Sequence, residues 1–502
     1  MLAGSVLTSA GFHNAVACAI VLWRSLRTGS NYPQVIPVSH EVFVIDDRHP
    51  EDIAMLQALY SRSPASVIVH LDKLRQTGSG KFMDQFYVGY GHASIGDCGV
   101  TTCFIEQVSM LAAKAIQENP LYNGQEASTR YLDFSKQAMV DPYDHPASAA
   151  VQKRWMELYN STVPKIAKSL EERRPFDPTV YKNEKTWRNA LMARTFDSCR
   201  GLLPIGTTTL LSWSTTLRQA RDNLRRLKHH PLPEVREVAQ TIFARMLERY
   251  PHSFKGDEMD MNAGSPRDAY SKEFSERNHF LRAEEVLSRF GVSEAELLKM
   301  KNGELAVRRD ALDLQGLKKF ESGTLSKRPE NVPLPWRLEA YGRYNFLFIL
   351  DFGSFRDIQR HRNGVCQIPL VDGRFGMHPW YMTQFEELLA AEDFLALSRD
   401  IDRQLEAIRR LDRQGVPANS LFSQYLFPMG TACLCHVSYS VPEAVYVGEL
   451  RSGKTVHPSL RPVAQKILHA LSEDLPGIAL YGDMDEDGWS AKRGEQTISA
   501  RN

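Results

Sequence analysis

Leu203-Pro204-Ile205-Gly206-Thr207 returns 224 residues later as Phe427-Pro428-Met429-Gly430-Thr431. Beyond each copy a helix-like run leads to a second match, Arg236-Glu237-Val238-Ala239-Gln240-Thr241-Ile242 against Arg461-Pro462-Val463-Ala464-Gln465-Lys466-Ile467, here 225 residues apart. Two short matches that keep register within one residue point to a tandem duplication. Working outward, each copy reads as a β-like run, a helix, a loop and further helices. In the first, residues 99–105 read as strand and 108–117 as helix, up to the break at Asn119-Pro120. In the second, residues 344–350 alternate aromatic and aliphatic side chains as a strand does, and 353–362 read as helix. The polar stretch between them carries a capping-box signature at Ser293 and Glu296. The reading predicts an α/β (α+β) fold of two diverged copies. Its predicted organisation is an N-terminal extension (1–40), a first repeat (41–250), a polar, partly helical insertion (251–335), a second repeat (336–485) and a C-terminal tail (486–502).

Composition narrows the function. The 502 residues are 43% hydrophobic and 24% charged, which is ordinary globular usage. A formal charge of +1 gives no global field to recruit nucleic acid or anionic lipid, so any anionic ligand must be held by a local arginine cluster. Seven cysteines are too few for a disulfide scaffold, and their odd number fits reduced thiols, hence a cytoplasmic protein. Cys433-Leu434-Cys435-His436 lacks a second ligand pair at zinc spacing and reads as buried apolar chain, so no metal is expected. The most apolar N-terminal run, 15–23, is too short to span a membrane, and neither a P-loop nor a G-x-G-x-x-G after a strand occurs.

Two clusters carry chemistry. Asn123-Gly124-Gln125-Glu126-Ala127-Ser128-Thr129-Arg130-Tyr131 follows Pro120. If extended, it points Glu126, Ser128 and Arg130 the same way, a polar wall suited to an anion with a hydrogen-bonding ring. On these nine residues alone, a solvated strand edge is the favoured reading. Arg356-Asp357-Ile358-Gln359-Arg360-His361-Arg362 crowds basic side chains at a helix end, where dipole complementation explains one arginine better than three basic neighbours. Further basic groups are Arg221, Arg225, Arg226 and Lys228, and then Arg451, Lys454 and His457.

These residues resemble the flavin-dependent thymidylate synthases, whose signature is R-H-R-x-x-S-x-N-E-x-S-x-R-Y. Gly91-His92-Ala93-Ser94 is similar to the family's G-H-x-S, and Glu126, Ser128, Arg130 and Tyr131 to the end of its signature, but R-H-R is replaced by Glu118-Asn119-Pro120. The second half is the converse: Arg360-His361-Arg362 supplies R-H-R, while Ile368, Leu370, Asp372 and Gly373 replace the acidic, hydroxyl, basic and aromatic positions. Arg200-Gly201-Leu202-Leu203-Pro204 resembles the family's R-x-x-L-P, where the second half has Gln424, and Leu450-Arg451 resembles its late L-R. Each half keeps what the other has lost, which implies one composite site. The first-half counterpart of Arg451 is Arg226 or a neighbour.

The resemblance implies a small, mostly antiparallel sheet flanked by long helices in each copy. By the same resemblance FAD would be held by His92, Ser94, Glu126, Arg360, His361 and Arg362, with NADPH and methylenetetrahydrofolate as co-substrates. It implies a dUMP-like nucleotide held by Glu126, Ser128, Arg130, Arg200 and Arg360, with Ser128 and Arg451 catalytic and Arg451 stabilising negative charge on the uracil ring. It also implies a homo-oligomer, a dimer of two-repeat chains; neither nucleic acid nor membrane is an expected partner. Gln125, Asp357, Ser440 and Pro442 depart from the family's pattern, so modification of another pyrimidine nucleotide and a non-catalytic nucleotide-binding pseudoenzyme are the alternatives.

Overall fold

The computed structural model describes residues 42–85, 93–254, 266–273, 279–280, 282–297, 299–300, 304–416 and 419–495. Residues 42–47 form no helix or strand and belong to a unit of their own, Met1–Asp47; the elements that follow lie in the unit Arg48–Asn502. The first half begins with helices α1 (Pro50–Tyr60) and α2 (Val67–Thr77). Strand β1 (Val100–Ser109) then runs straight into α3 (Met110–Gln117), and the long helices α4 (Pro146–Arg173) and α5 (Glu184–Cys199) follow. Strand β2 (Thr208–Thr216), α6 (Leu217–Leu227) and α7 (Pro233–Arg249) complete it.

In the intervening segment, α8 (Ala283–Phe290) precedes β3 (Leu305–Asp310). The capping box forms as read, with Ser293 N donating to Glu296 at 2.8 Å and Glu296 N to Ser293 Oγ at 3.2 Å. The second half repeats the order as β4 (Arg343–Asp351), α9 (Phe352–Ile358), β5 (Val365–Gln367), α10 (Pro379–Leu388) and α11 (Ala391–Arg409). It closes with β6 (Ala432–Ser440), α12 (Val441–Ser452) and α13 (Arg461–Asp474).

Both sheets are antiparallel: β1 pairs with β2, and the second half has the order β3-β4-β6-β5. Strand β4 lies between two others, is buried at all but its first residue, and so reads as a nearly continuous apolar run. Strand β1 has one partner, leaves Phe104 79% exposed, and is broken between Ile105 and Val108, where Gln107 adopts φ 59°. Helix α11 shows how the sequence sets the packing. It buries Leu397, Ile401, Leu405 and Ile408, a one-face spacing, while Asp400 and Asp393 reach Arg154 and Lys165 of α4 at 2.8 and 2.7 Å.

The repeated pentapeptides meet each other. Ile205 N donates to Phe427 O at 2.8 Å and Met429 N to Leu203 O at 2.7 Å; Gly206 N reaches Tyr425 O and Gly430 N reaches Gly201 O, both at 2.9 Å. The flanking bonds match as well: Met110 N to Thr207 O at 3.1 Å has its counterpart in Phe352 N to Thr431 O at 3.2 Å. Glycine is required here, because a Cβ on Gly206 would lie 2.6 Å from Val140 O and 2.8 Å from Tyr425 O, and one on Gly430 would meet Met377 and Gly201. The helix caps correspond too. Ser109 caps α3 and Asp351 caps α9, and Thr216 caps α6 as Ser440 caps α12. One hydrophobic core runs through both halves, from Trp155 and Trp213 to Tyr344 and Phe346. Among the described residues no helix is long and apolar enough to cross a membrane.

Candidate active site

Helix α9 ends at Ile358, earlier than the helix read from the sequence, so Arg360-His361-Arg362 lies beyond its C-terminus. Asp357, in its last turn, is 9% exposed, and its Oδ2 has no hydrogen-bond partner. Burial opposes its ionisation, but Arg360, Arg130, Arg451 and Arg200 together outweigh burial and hold the carboxyl below the usual range. Two of these arginines come from each half. The structure therefore brings together Arg130, Arg200, Arg360 and Arg451.

Each arginine is oriented separately. Arg130 donates from Nε and Nη2 to the two oxygens of Asp197 at 2.8 and 3.1 Å. Arg493, delivered by the short turn Ala491–Glu495, grips the same fully buried carboxylate. Arg200, 2% exposed, donates to Ser354 Oγ at 2.6 Å and Tyr381 Oη at 3.2 Å, and lies 3.5 Å from Asp351. Asp351 also accepts from Ser354 N at 2.8 Å, Tyr381 Oη at 3.0 Å and Ser459 Oγ at 2.5 Å. His457 joins the two carboxylate systems, bonding Ser459 Oγ at 2.8 Å and Asp197 O at 3.2 Å. Burial and then Arg200 keep its imidazole neutral.

Arg451 donates from Nε to His361 Nε2 at 2.8 Å and from Nη2 to the carbonyl of Asp357 at 2.8 Å. Burial first, and Arg451 next, push His361 down to about 3. The ring is thus neutral, accepts on Nε2 and carries its proton on Nδ1, towards Glu443 at 4.0 Å. Arg360 is the open member, 44% exposed and 3.9 Å from Asp357. Arg362 lies over the Tyr122 ring at 4.6 Å, with its Nε unpartnered.

The polar wall does not form as the alternation suggested. Bridges from Asn123 and Glu126 to β2 keep the chain extended to there, but Tyr131 N and Leu132 N then donate to Ser128 O at 3.2 and 3.1 Å and turn it. Glu126 forms a buried ion pair with Arg356 and accepts from Gln117 Nε2 at 2.7 Å, whereas Arg130 pairs with Asp197. Ser128 Oγ accepts from Arg130 N at 3.3 Å. Ser94 sits on the 3-10 turn Ala93–Cys98, packed against α1 and α6, helices that carry none of the arginines around Asp357. His92 lies outside the described residues. Ser440 and Pro442 open α12 as its cap and first-turn proline.

The mirror position settles the counterpart of Arg451. Arg226 donates from Nη2 to Ala115 O at 3.2 Å, as Arg451 does to Asp357 O, and Ala115 and Asp357 hold equivalent places on α3 and α9. There the surroundings differ: Arg226 also bonds His279 of the insertion at 3.1 Å, and His279 packs on His230 with centroids 4.3 Å apart. Burial and neighbouring cations hold both rings neutral, His279 at about 3. His279 of the insertion thus lies against the first-half counterpart of Arg451.

Asp197, Asp351, Arg493 and Tyr381 escaped the sequence reading, and His457 was read only as a member of a basic group. Asp197 had a signal, being one helical turn before Arg200 on α5, and Asp351 aligns with the cap Ser109. Arg493 had none. Among the described residues no group of histidine, cysteine and acidic side chains could hold a metal ion. Burial also raises the described cysteines, Cys103 to about 11 and Cys366 to about 12, so none is poised as a thiolate nucleophile.

Over most of its length the chain is similar to two UPF0159 proteins. That of Thermoplasma acidophilum is 22% identical over 85% of this chain and 94% of the relative; that of Chlamydia muridarum is 23% identical over 75% of each. The profile of the family described as thymidylate synthase complementing protein matches residues 44–252, the half that contains Glu126, Ser128, Arg130 and Arg200. Over that half, the chain is similar to the thymidylate synthase complementing protein family.

Proposed function

We propose that the chain is a flavin-dependent thymidylate synthase that methylates dUMP at one composite site built from both halves. The observation that carries this reading is the charge balance around Asp357. Arg130, Arg200, Arg360, Arg451 and Arg493 face the buried carboxylates Asp197, Asp351 and Asp357, leaving two positive charges in excess. A nucleoside monophosphate dianion neutralises such an excess. The family is flavin-dependent in general. The donors present suit an anionic cofactor: Arg360 is open, and buried Nε atoms of Arg356 and Arg362 lack partners. Arg360 to Arg362 would hold the flavin.

Bound flavin would carry electrons from NADPH, with methylenetetrahydrofolate giving the methyl carbon. The chain's own residues bind and polarise. Arg130, held rigid by Asp197, and Arg200, held by Ser354 and Tyr381, position the phosphate, and Arg360 closes from the other half. Arg451 is fixed by His361 and the Asp357 carbonyl, so its charge is in place before negative charge develops on the pyrimidine ring. That role needs no cysteine. One feature favours a second reading: Asp357 Oδ2 is an unpartnered buried acceptor, suited to a ring or sugar donor of a different pyrimidine nucleotide.

The test is release of tritium from C5 of labelled dUMP by protein given FAD, NADPH and methylenetetrahydrofolate. Release, with unlabelled dCMP a poor competitor, is the expected result. Flavin binding without release would favour the second reading, and neither would make the chain a non-catalytic nucleotide binder.

A further inference from the structure

A cleft of about 740 Å³ opens between α4, α10, α13 and the C-terminal segment, within the size range of small-molecule sites. It is lined by arginines and tryptophans. Arg174, which caps α4, lies over the Trp489 ring at 4.2 Å, with Arg194 of α5 at 5.7 Å from the same ring. Arg194 donates to Gly488 O at 2.7 Å. Neither arginine has a carboxylate at ion-pair distance among the described residues, and Asp197, near Arg194, is already taken by Arg130 and Arg493. Burial, with like charge from Arg493, Arg174 and Arg130, brings the Arg194 guanidinium down to about 10. A cation desolvated at a cleft wall without a counter-ion is costly unless an anion joins it.

Across the cleft, Trp380 is held edge-on by His457 at 4.6 Å and Tyr381 at 5.0 Å, and its ring is only partly covered. Glu387 and Glu486 add acceptors at the rim. We propose that this cleft is a second nucleotide site, separate from the cluster around Asp357. The base stacks on Trp380, the ribose hydroxyls donate to Glu387 or Glu486, and the phosphates meet Arg174 and Arg194. Trp380 touches His457, which bonds Asp197 O, so an occupant here adjoins the groups that orient Arg130. The site does not depend on the reaction assigned to that cluster.

Calorimetric titration of the full chain with ATP and with dTTP, and with inorganic tripolyphosphate as control, tests the proposal. At least one nucleotide should bind saturably, and Arg174→Gln, at an exposed position, should weaken it about tenfold. Arg360→Gln, at the other cluster, should leave that binding unchanged. Arg174→Gln should also leave tritium release from dUMP intact, which separates this site from the proposed reaction. No saturable binding at millimolar nucleotide would overturn the proposal. Loss through Arg360→Gln but not Arg174→Gln, or tripolyphosphate binding as tightly as the nucleotides, would overturn it too.

Discussion

Arg451→Ala should lower tritium release from dUMP by about 10²–10³-fold, the scale of losing one preorganised charge that acts on the transition state. Arg226→Ala should change it by less than about threefold. The two arginines occupy equivalent places, Arg451 on α12 donating to a carbonyl of α9 and Arg226 on α6 to a carbonyl of α3. Their surroundings set them apart. Arg451 stands with Arg130, Arg360 and Asp357, whereas Arg226 is bonded to Asn223 and to His279 of the insertion. If the site is composite and single, only one arginine has a substrate to act on. Equal losses would mean two working sites, or an effect through folding alone, which thermal unfolding of each variant would reveal.

Asp197→Ala should destabilise the protein by about 3–5 kcal/mol, because it leaves Arg130 and Arg493 buried against each other without a counter-ion. Asp197→Asn keeps the shape and removes the charge, and should cost less. The pH dependence has a definite sign. Burial opposes ionisation of Asp197, but Arg130, Arg493 and His457 hold its carboxyl well below the usual value. Its contribution to stability is therefore fully present above the unfolded carboxyl value of about 3.9. It is lost as pH falls through the lower folded value. Denaturant melts should show a gap between wild type and Asp197→Asn that is constant at neutral pH and narrows only in acid below about pH 4. A gap that widened in acid would contradict this assignment.

Local signals in the sequence were legible where local physics decides the structure. The strands read at 99–105 and 344–350 exist as Val100–Ser109 and Arg343–Asp351, and the Ser293 capping box forms. The pentapeptide repeat was more informative than its length suggested, since the two copies bond to each other at the centre of the molecule. What failed was orientation. Alternation at 126, 128 and 130 predicts a common face only in extended chain, and the turn at Ser128 sends Glu126 to Arg356 and Arg130 to Asp197. Strand β3 was hidden because Arg308 and Arg309 make it look like polar linker. Arg493 pairs with a carboxylate 296 residues earlier, a separation at which spacing carries no information.

Each chain should hold one composite dUMP site, separate from the cleft at Trp380 and completed by arginines from both halves. Equilibrium dialysis with labelled dUMP measures it most directly. One dUMP should bind per chain at this site, with that binding abolished by Arg130→Gln in the first half and equally by Arg360→Gln in the second. Two dUMP molecules bound per chain in protein that also carries Arg174→Gln, or binding that survives either substitution in that background, would count against it.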